Sequence, residues 1–271
     1  MITRTGQERL EAAFRQAGAQ QRCALMPYLM MGYPDLPMTC EIVSAIASAG
    51  ADIVELGVPF SDPIADGSII QQAAYTALQQ GVTPARCLET AASLRAAGVS
   101  IPFLFMGYYN PIFVWGPARY AHACNEAGVD GLIVPDLPIE EAVELLAACE
   151  AEGLALVFLV APNTPDDRLA RIASQAHGFV YLVSRPGITG ARDSLPDGLA
   201  GYVARVRRHT NLPLGLGFGI STPAHVRQVA GLVDGVVIGS AVVERSQQGA
   251  AAVASFVAEL RQATFVSKTL S

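Results

Sequence analysis

Eight short apolar runs, spaced along nearly the whole chain and separated by amphipathic stretches, limit the possible folds more than any other feature. They are Ala24–Met31, Asp52–Leu56, Ile101–Met106, Gly131–Val134, Ala155–Leu159, Phe179–Val183, Leu214–Phe218 and Gly235–Ile238. Each is apolar on both alternating faces, as parallel strands covered by helices should be. Between them lie helical patterns such as Met38–Ala49, Pro117–Ala127, Ile139–Glu152, Pro165–Gln175 and Pro223–Ala230. Thr222-Pro223 and Thr164-Pro165-Asp166 place proline in a first helical turn. Gly50, Gly98, Gly128, Gly153 and Gly231 stand where helices should end. Eight βα units in 271 residues mean a (β/α)8 TIM barrel; six would have suggested an open, doubly wound sheet. No linker or shift in composition divides residues 1–271, so one domain is expected. An extra helix, Gln7 to Ala19, precedes the first strand, and a short extra helix follows the eighth.

Barrels of this kind carry their chemistry on the loops at the C-terminal ends of the strands. The second strand and its loop read I-V-E-L-G-V-P-F-S-D-P-I-A-D-G, residues 53 to 67. Glu55 sits among Ile53, Val54, Leu56 and Val58, where a carboxylate is costly to desolvate unless paired or protonated. Burial there raises its pKa, which suits a group that both gives and takes a proton near neutrality. The plainer reading is a structural Glu paired with an arginine. Asp62 and Asp66 follow in the loop, and two carboxylates near a strand-end Glu resemble the start of a Ca²⁺ or Mg²⁺ site. Only Asp136 offers a further oxygen ligand at a strand end, so a metal-free pairing is favoured, with Glu55 as acid–base group and Asp66 accepting a substrate N–H. Asp62, before Pro63, reads as a turn residue.

The loop after the sixth strand, Ser184 to Pro196, is long, and Gly187 and Gly190 loosen it around Thr189. Gly215 to Ser221 and Gly239-Ser240 follow the seventh and eighth strands, where glycine lets backbone N–H groups approach an anion closely. Together these favour a phosphate site over simple turns. The loop after the third strand, Gly107 to Pro117, is uncharged and holds Trp115, the only tryptophan. Such a loop needs cover, from the barrel itself or from a partner subunit on the active-site face. Tyr28, Tyr181 and Phe218, near strand ends, wall a flat aromatic substrate if taken together; taken singly, each is core packing.

Composition removes other chemistries. The one lysine, Lys268, lies near the C-terminus, which argues against Schiff-base and pyridoxal phosphate (PLP) chemistry within this chain. His122, His177, His209 and His225 show no metal-binding spacing. The net charge of −6 with no basic cluster speaks against nucleic acid and anionic membranes. Cysteines 23, 40, 87, 124 and 149 are scattered, as in a reducing compartment. With no apolar run of ~18 residues and no apolar N-terminal segment, the chain reads as cytoplasmic.

The motifs E-L-G-V-P-F-S-D-P-x-A-D-G, M-x-Y-Y-N-P, Y-L-V-S-R-x-G-x-T-G, G-F-G-I-S and I-G-S-A-V-V occur in that order. Together they resemble the tryptophan synthase alpha subunit family over nearly the whole chain. The resemblance implies a lyase of tryptophan biosynthesis that cleaves indole-3-glycerol phosphate to indole and glyceraldehyde 3-phosphate. It implies Glu55 as catalytic acid–base, Asp66 as the holder of the indole N–H and Tyr181 beside the catalytic Glu. Thr189 and Gly190 fall on the family's mobile loop. Gly190, Gly219, Gly239 and Ser240 match phosphate contacts, and Tyr28, Met106, Tyr108 and Phe218 match the indole pocket. The family pairs with a PLP-bearing beta subunit in an α2β2 heterotetramer, with indole passing through a tunnel, and needs neither cofactor nor metal in the alpha chain. This sequence departs from the pattern at Ser68, where the family has proline, and at Tyr28, where phenylalanine is common. The rival readings are a free-standing indole-releasing lyase, a non-catalytic regulatory subunit and a sugar-phosphate epimerase. The epimerase would want His and Asp metal ligands that the chain lacks.

Overall fold

A computed structural model describes residues 5–183, 198–217 and 219–266. Among these, nine parallel strands form one sheet: β1 Ala24–Met30, β2 Val54–Gly57, β3 Phe103–Met106, β4 Gly131–Ile133, β5 Ala155–Val157, β6 Leu159–Val160, β7 Val180–Val183, β8 Leu214–Gly217 and β9 Gly235–Ile238. Their order, β5-β4-β3-β2-β1-β9-β8-β7-β6, begins and ends on segments separated only by Phe158. β5 pairs with β4 and β6 with β7, so one interrupted strand closes the ring, and the nine segments fill eight barrel positions. The predicted fifth strand, Ala155–Leu159, is this split pair.

The expected N-terminal helix spans Gly6–Ala19 and starts with a capping box between Thr5 and Glu8. Its Leu10 and Phe14 are buried, and the Phe14 ring lies 5.3 Å from that of Phe179. Thr83 and Thr222 cap helices that open on Pro84 and Pro223. Gly50, Gly98, Gly128 and Gly153 take the positive φ that closes helices; Gly231, two residues beyond helix Pro223–Val229, does not. The expected Thr164 cap also fails. Helix Asp166–Gln175 starts after Pro165, and the Thr164 hydroxyl instead accepts the Ala161 N–H at 3.0 Å. The pattern over Ile139–Glu152 breaks into a 3-10 turn, Ile139–Glu141, and helix Val143–Ala151. Two helices, Ser68–Gln79 and Pro84–Ala96, link β2 to β3.

The N-terminal end of the barrel is closed by a repeated device. Asp52, Asp130 and Asp234 each lie just before a strand and accept a backbone N–H from the start of a neighbouring one: Leu25, Phe103 and Leu214, at 2.8, 2.7 and 2.7 Å. Each also takes an arginine: Arg22, Arg95 and Arg207, at 2.6, 2.7 and 2.6 Å. Asp130 is 2% exposed and binds Arg9 as well, which ties the N-terminal helix to the barrel. Inside, large side chains fit against glycines on neighbouring strands. A Cβ on Gly215 would lie 2.8 Å from the Phe179 ring, and one on Gly235 would lie 2.7 Å from Met26. Gly215 and Gly217 therefore belong to β8 and its packing, not to an anion-binding loop; only Gly219 of that motif lies beyond the strand.

Removing one member of a buried ion network leaves the other charges uncompensated. We expect Asp130→Ala to lower stability by about 3–5 kcal/mol, measured by urea unfolding, with little change in the site at the opposite end.

Candidate active site

β2 carries Glu55 into the barrel interior, level with Tyr28 on β1 and Leu104 on β3. Glu55 is fully buried, and neither carboxylate oxygen has a hydrogen-bond partner among the described residues. Burial alone holds its pKa well above the ordinary range. Among the described residues, no arginine pairs with it, as the structural alternative would require. Gly57, two residues further along β2, leaves room for the Tyr28 hydroxyl, which a Cβ there would strike. Gly217 makes the same room for the Tyr181 hydroxyl from β7. Both phenols are raised well above their usual pKa by burial, with the charges of Asp66 and Glu55 adding to it, so both stay protonated.

Asp66 lies in the loop after β2 and is 7% exposed. Its carboxylate accepts the Tyr108 hydroxyl at 3.0 Å, and the Tyr108 oxygen accepts the Ala65 N–H at 3.0 Å. Burial pushes Asp66 up to about 6, and the bond from Tyr108 holds it back. The Asp66 N–H donates to the Pro63 carbonyl at 3.1 Å, and Gln71 Nε2 donates to the Asp66 carbonyl at 2.8 Å. Ser68 still opens its helix without the family's proline, with Gly67 as the N-cap residue.

A small cavity opens at this end, and Tyr28, Asp66, Met106 and Tyr108, all singled out from the sequence, line it. Glu55 is not among its walls. Phe60, overlooked in the sequence, also lines the cavity and stacks on Tyr108 with ring centroids 5.3 Å apart and planes at 28°. It stands three residues beyond Gly57, the last residue of β2. An aromatic ring so close to the C-terminal end of a barrel strand is the signal that could have found it.

Gly219, with φ of +90°, follows β8, and Gly239 and Ser240 follow β9, where helix Ser240–Ser246 begins. A Cβ on Gly239 would lie 3.7 Å from the Tyr28 ring, so this strand end adjoins the cavity side of the barrel. Thr189, Gly190 and Phe218 lie outside the described residues, as does Lys268. Asp62 is exposed and accepts the Ser61 hydroxyl at 2.5 Å, as a turn residue would. Asp136 accepts the Tyr109 N–H at 3.0 Å, and among the described residues no three metal-ligating side chains gather. The uncharged segment 107–117 is largely helical, not a loop: Asp136 holds the start of helix Tyr109–Trp115. Trp115 packs edge-on against Tyr120, at 5.8 Å, while Phe113 and Val114 remain 61% and 73% exposed. Ile64 in the loop after β2 is 75% exposed.

Fold and site together define a barrel enzyme with two desolvated carboxylates at the C-terminal ends of its strands. The family model described as tryptophan synthase alpha chain matches residues 14–269. The tryptophan synthase alpha chain of Roseiflexus castenholzii is 51% identical over 258 residues, covering 93% of this chain and 99% of the relative. That of Chloroflexus aurantiacus is 48% identical over 240 residues, covering 89% and 90%. Among solved structures, Mycobacterium tuberculosis tryptophan synthase superposes with a TM-score of 0.90 at 36% identity, covering 98% of this chain and 100% of that one. Tryptophan synthase subunit alpha from Legionella pneumophila gives 0.87 at 33% identity, covering 94% and 98%. The chain belongs to the tryptophan synthase alpha chain family.

A carboxyl whose pKa is raised on folding binds its proton more tightly in the native state than in the unfolded chain. Its contribution is fully present below the unfolded pKa and is lost as pH rises through the folded one. We therefore expect Glu55→Gln to match the parent in stability near pH 4 and to exceed it increasingly toward pH 8, seen as a widening gap in melting temperature.

Proposed function

We propose that Glu55 and Asp66 carry out the family's reaction, carbon–carbon cleavage of indole-3-glycerol phosphate to indole and glyceraldehyde 3-phosphate. The observation that carries this reading is the Glu55 carboxyl, buried with no hydrogen-bond partner among the described residues and raised in pKa. A protonated Glu55 delivers its proton to indole C3, which creates a cationic indolenine. Asp66, ionised, accepts the ring N–H and stabilises that charge. The Glu55 carboxylate then removes the proton from the substrate hydroxyl. The C–C bond breaks as the aldehyde forms, its electrons return to the ring and indole leaves. One proton goes in and one comes out, through the same group.

Tyr28, Met106 and Tyr108 flank the flat indole, which needs more room than the small cavity between them, and Tyr181 packs beside Glu55, in this proposal. Phe218 joins the indole pocket. Gly219, Gly239 and Ser240 take the phosphate, with Gly190 and Thr189, which lie outside the described residues, assigned to the same site by the family motif. The family's beta subunit is the partner, in an α2β2 complex, and brings the PLP that this chain does not use. The exposed Ile64, Phe113 and Val114 support a docking face around the candidate site. A cytoplasmic location is part of the same reading, supported by five free cysteines.

The test is indole release from indole-3-glycerol phosphate by the purified chain, with and without the beta subunit. Slow release that the partner accelerates is expected; fast release alone would point to a free-standing lyase, and none in either case would reject the reading. Glu55→Gln should lose at least about 10³-fold in turnover, within the range ascribed to a positioned acid–base group, and near-normal turnover would remove Glu55 from its role. The kcat/KM should fall as pH drops through about 6, as Asp66 takes up its proton. Tyr108→Phe removes the bond that favours ionised Asp66, so that midpoint should move to higher pH. Phe113→Asp should weaken association with the beta subunit, followed by titration calorimetry, while leaving turnover of the isolated chain unchanged.

A further inference from the structure

At the end of the barrel opposite the candidate active site, a cleft of about 580 Å³ opens between helix Gly6–Ala19, helix Ala250–Ala263 and the starts of β2 and β3. That volume suits a metabolite-sized ligand. Arg9, Arg22 and Arg261 all line it. Arg22 Nε and Arg261 Nη2 donate to the same neutral acceptor, Gln20 Oε1, at 2.8 and 2.9 Å. Two guanidinium groups are thus drawn together over one uncharged oxygen.

The acids nearby are already committed. Asp52 receives Arg22 at 2.6 Å on each oxygen and the Leu25 N–H at 2.8 Å. Arg9 is bound to Asp130 at 3.2 Å and to the Ser100 carbonyl at 2.9 Å. Arg261 pairs with no carboxylate among the described residues, and its Nη1 is buried with no hydrogen-bond partner among them. Its stem is fixed: a Cβ on Gly50 would lie 3.3 Å from Arg261 Cγ, and its guanidinium stands 5.1 Å from the Phe265 ring centre. Burial, with the Arg22 charge adding to it, lowers the Arg261 pKa, while the charge of Asp52 acts in the opposite direction. Buried donors in folded proteins nearly always have partners, and charged ones favour oxyanions.

We propose that this basal cleft binds a small oxyanion, the phosphate or carboxylate group of a metabolite-sized molecule, at the Arg261 guanidinium, beside Arg22. It is separate from the lyase site and stands whether or not that assignment holds.

The test follows the arginine side-chain N–H signals of the full ¹⁵N-labelled chain during titration with inorganic phosphate and, separately, with citrate. The Arg261 and Arg22 signals should move saturably, with half-saturation at about 1 mM or below. Movement with phosphate alone, citrate alone or both supports the site and identifies its chemistry. Phosphate also has a place at the opposite end of the barrel, so Arg261→Gln separates the two. In that variant the Arg22 movement should weaken at least ten-fold while indole release is unchanged. Signals that stay still with both anions at concentrations on the order of tens of millimolar, or Arg22 signals that move equally in the variant, would overturn the proposal.

Discussion

Glu55 is a carboxylate held where neither a donor nor a counter-charge meets it among the described residues, and much of the barrel interior is arranged around that condition. A charge in such a place is strongly disfavoured, so the proton stays on the carboxyl further up the pH scale than in water. An arginine within reach would remove both the cost and the chemistry. The neighbours that surround it are instead phenols, Tyr28 and Tyr181, whose own pKa values are raised and which therefore bring no charge. Each phenol has room only because a glycine stands opposite its hydroxyl, Gly57 in one case and Gly217 in the other.

The two ends of the barrel treat acids in opposite ways. At the N-terminal end, Asp52, Asp130 and Asp234 each bind an arginine and a strand N–H, so these acids serve the fold. At the C-terminal end, Glu55 has no partner among the described residues and Asp66 has one neutral side-chain donor, Tyr108. Satisfied acids stabilise structure, whereas unsatisfied ones keep free energy available for a ligand.

Much of this was legible in the sequence, and the exceptions have physical causes. Alternation of apolar runs and helical patterns pointed to the barrel, because parallel strands covered on both faces leave that trace. Glu55 was visible as an acid inside an apolar strand, and Asp66 through its motif. The split at Phe158 was not visible, since both halves are equally apolar and only the pairing of β5 with β4 and β6 with β7 divides them. Helix Tyr109–Trp115 resembles a loop in sequence because it is short, uncharged and contains Pro111; its start depends on Asp136, distant in sequence. Gly215 and Gly217 suggested anion binding, but the aromatic rings they face lie outside their own strand.

Tyr108 shows how a single hydroxyl divides two roles between two buried acids. Both Glu55 and Asp66 are desolvated, and desolvation raises the pKa of both. The Tyr108 hydroxyl donates to Asp66 and not to Glu55, so it favours the ionised form of one acid only. Its own oxygen is turned toward that task by the Ala65 N–H, two bonds of one short relay. Asp66 is thereby held to about 6 and is mostly ionised at pH 7, while Glu55, with no such donor among the described residues, is left raised well above its ordinary value. In the proposed reaction, protonation of the aromatic ring calls for a negative charge as well as a proton donor, and that charge is favoured by one loop residue reaching to another strand's loop.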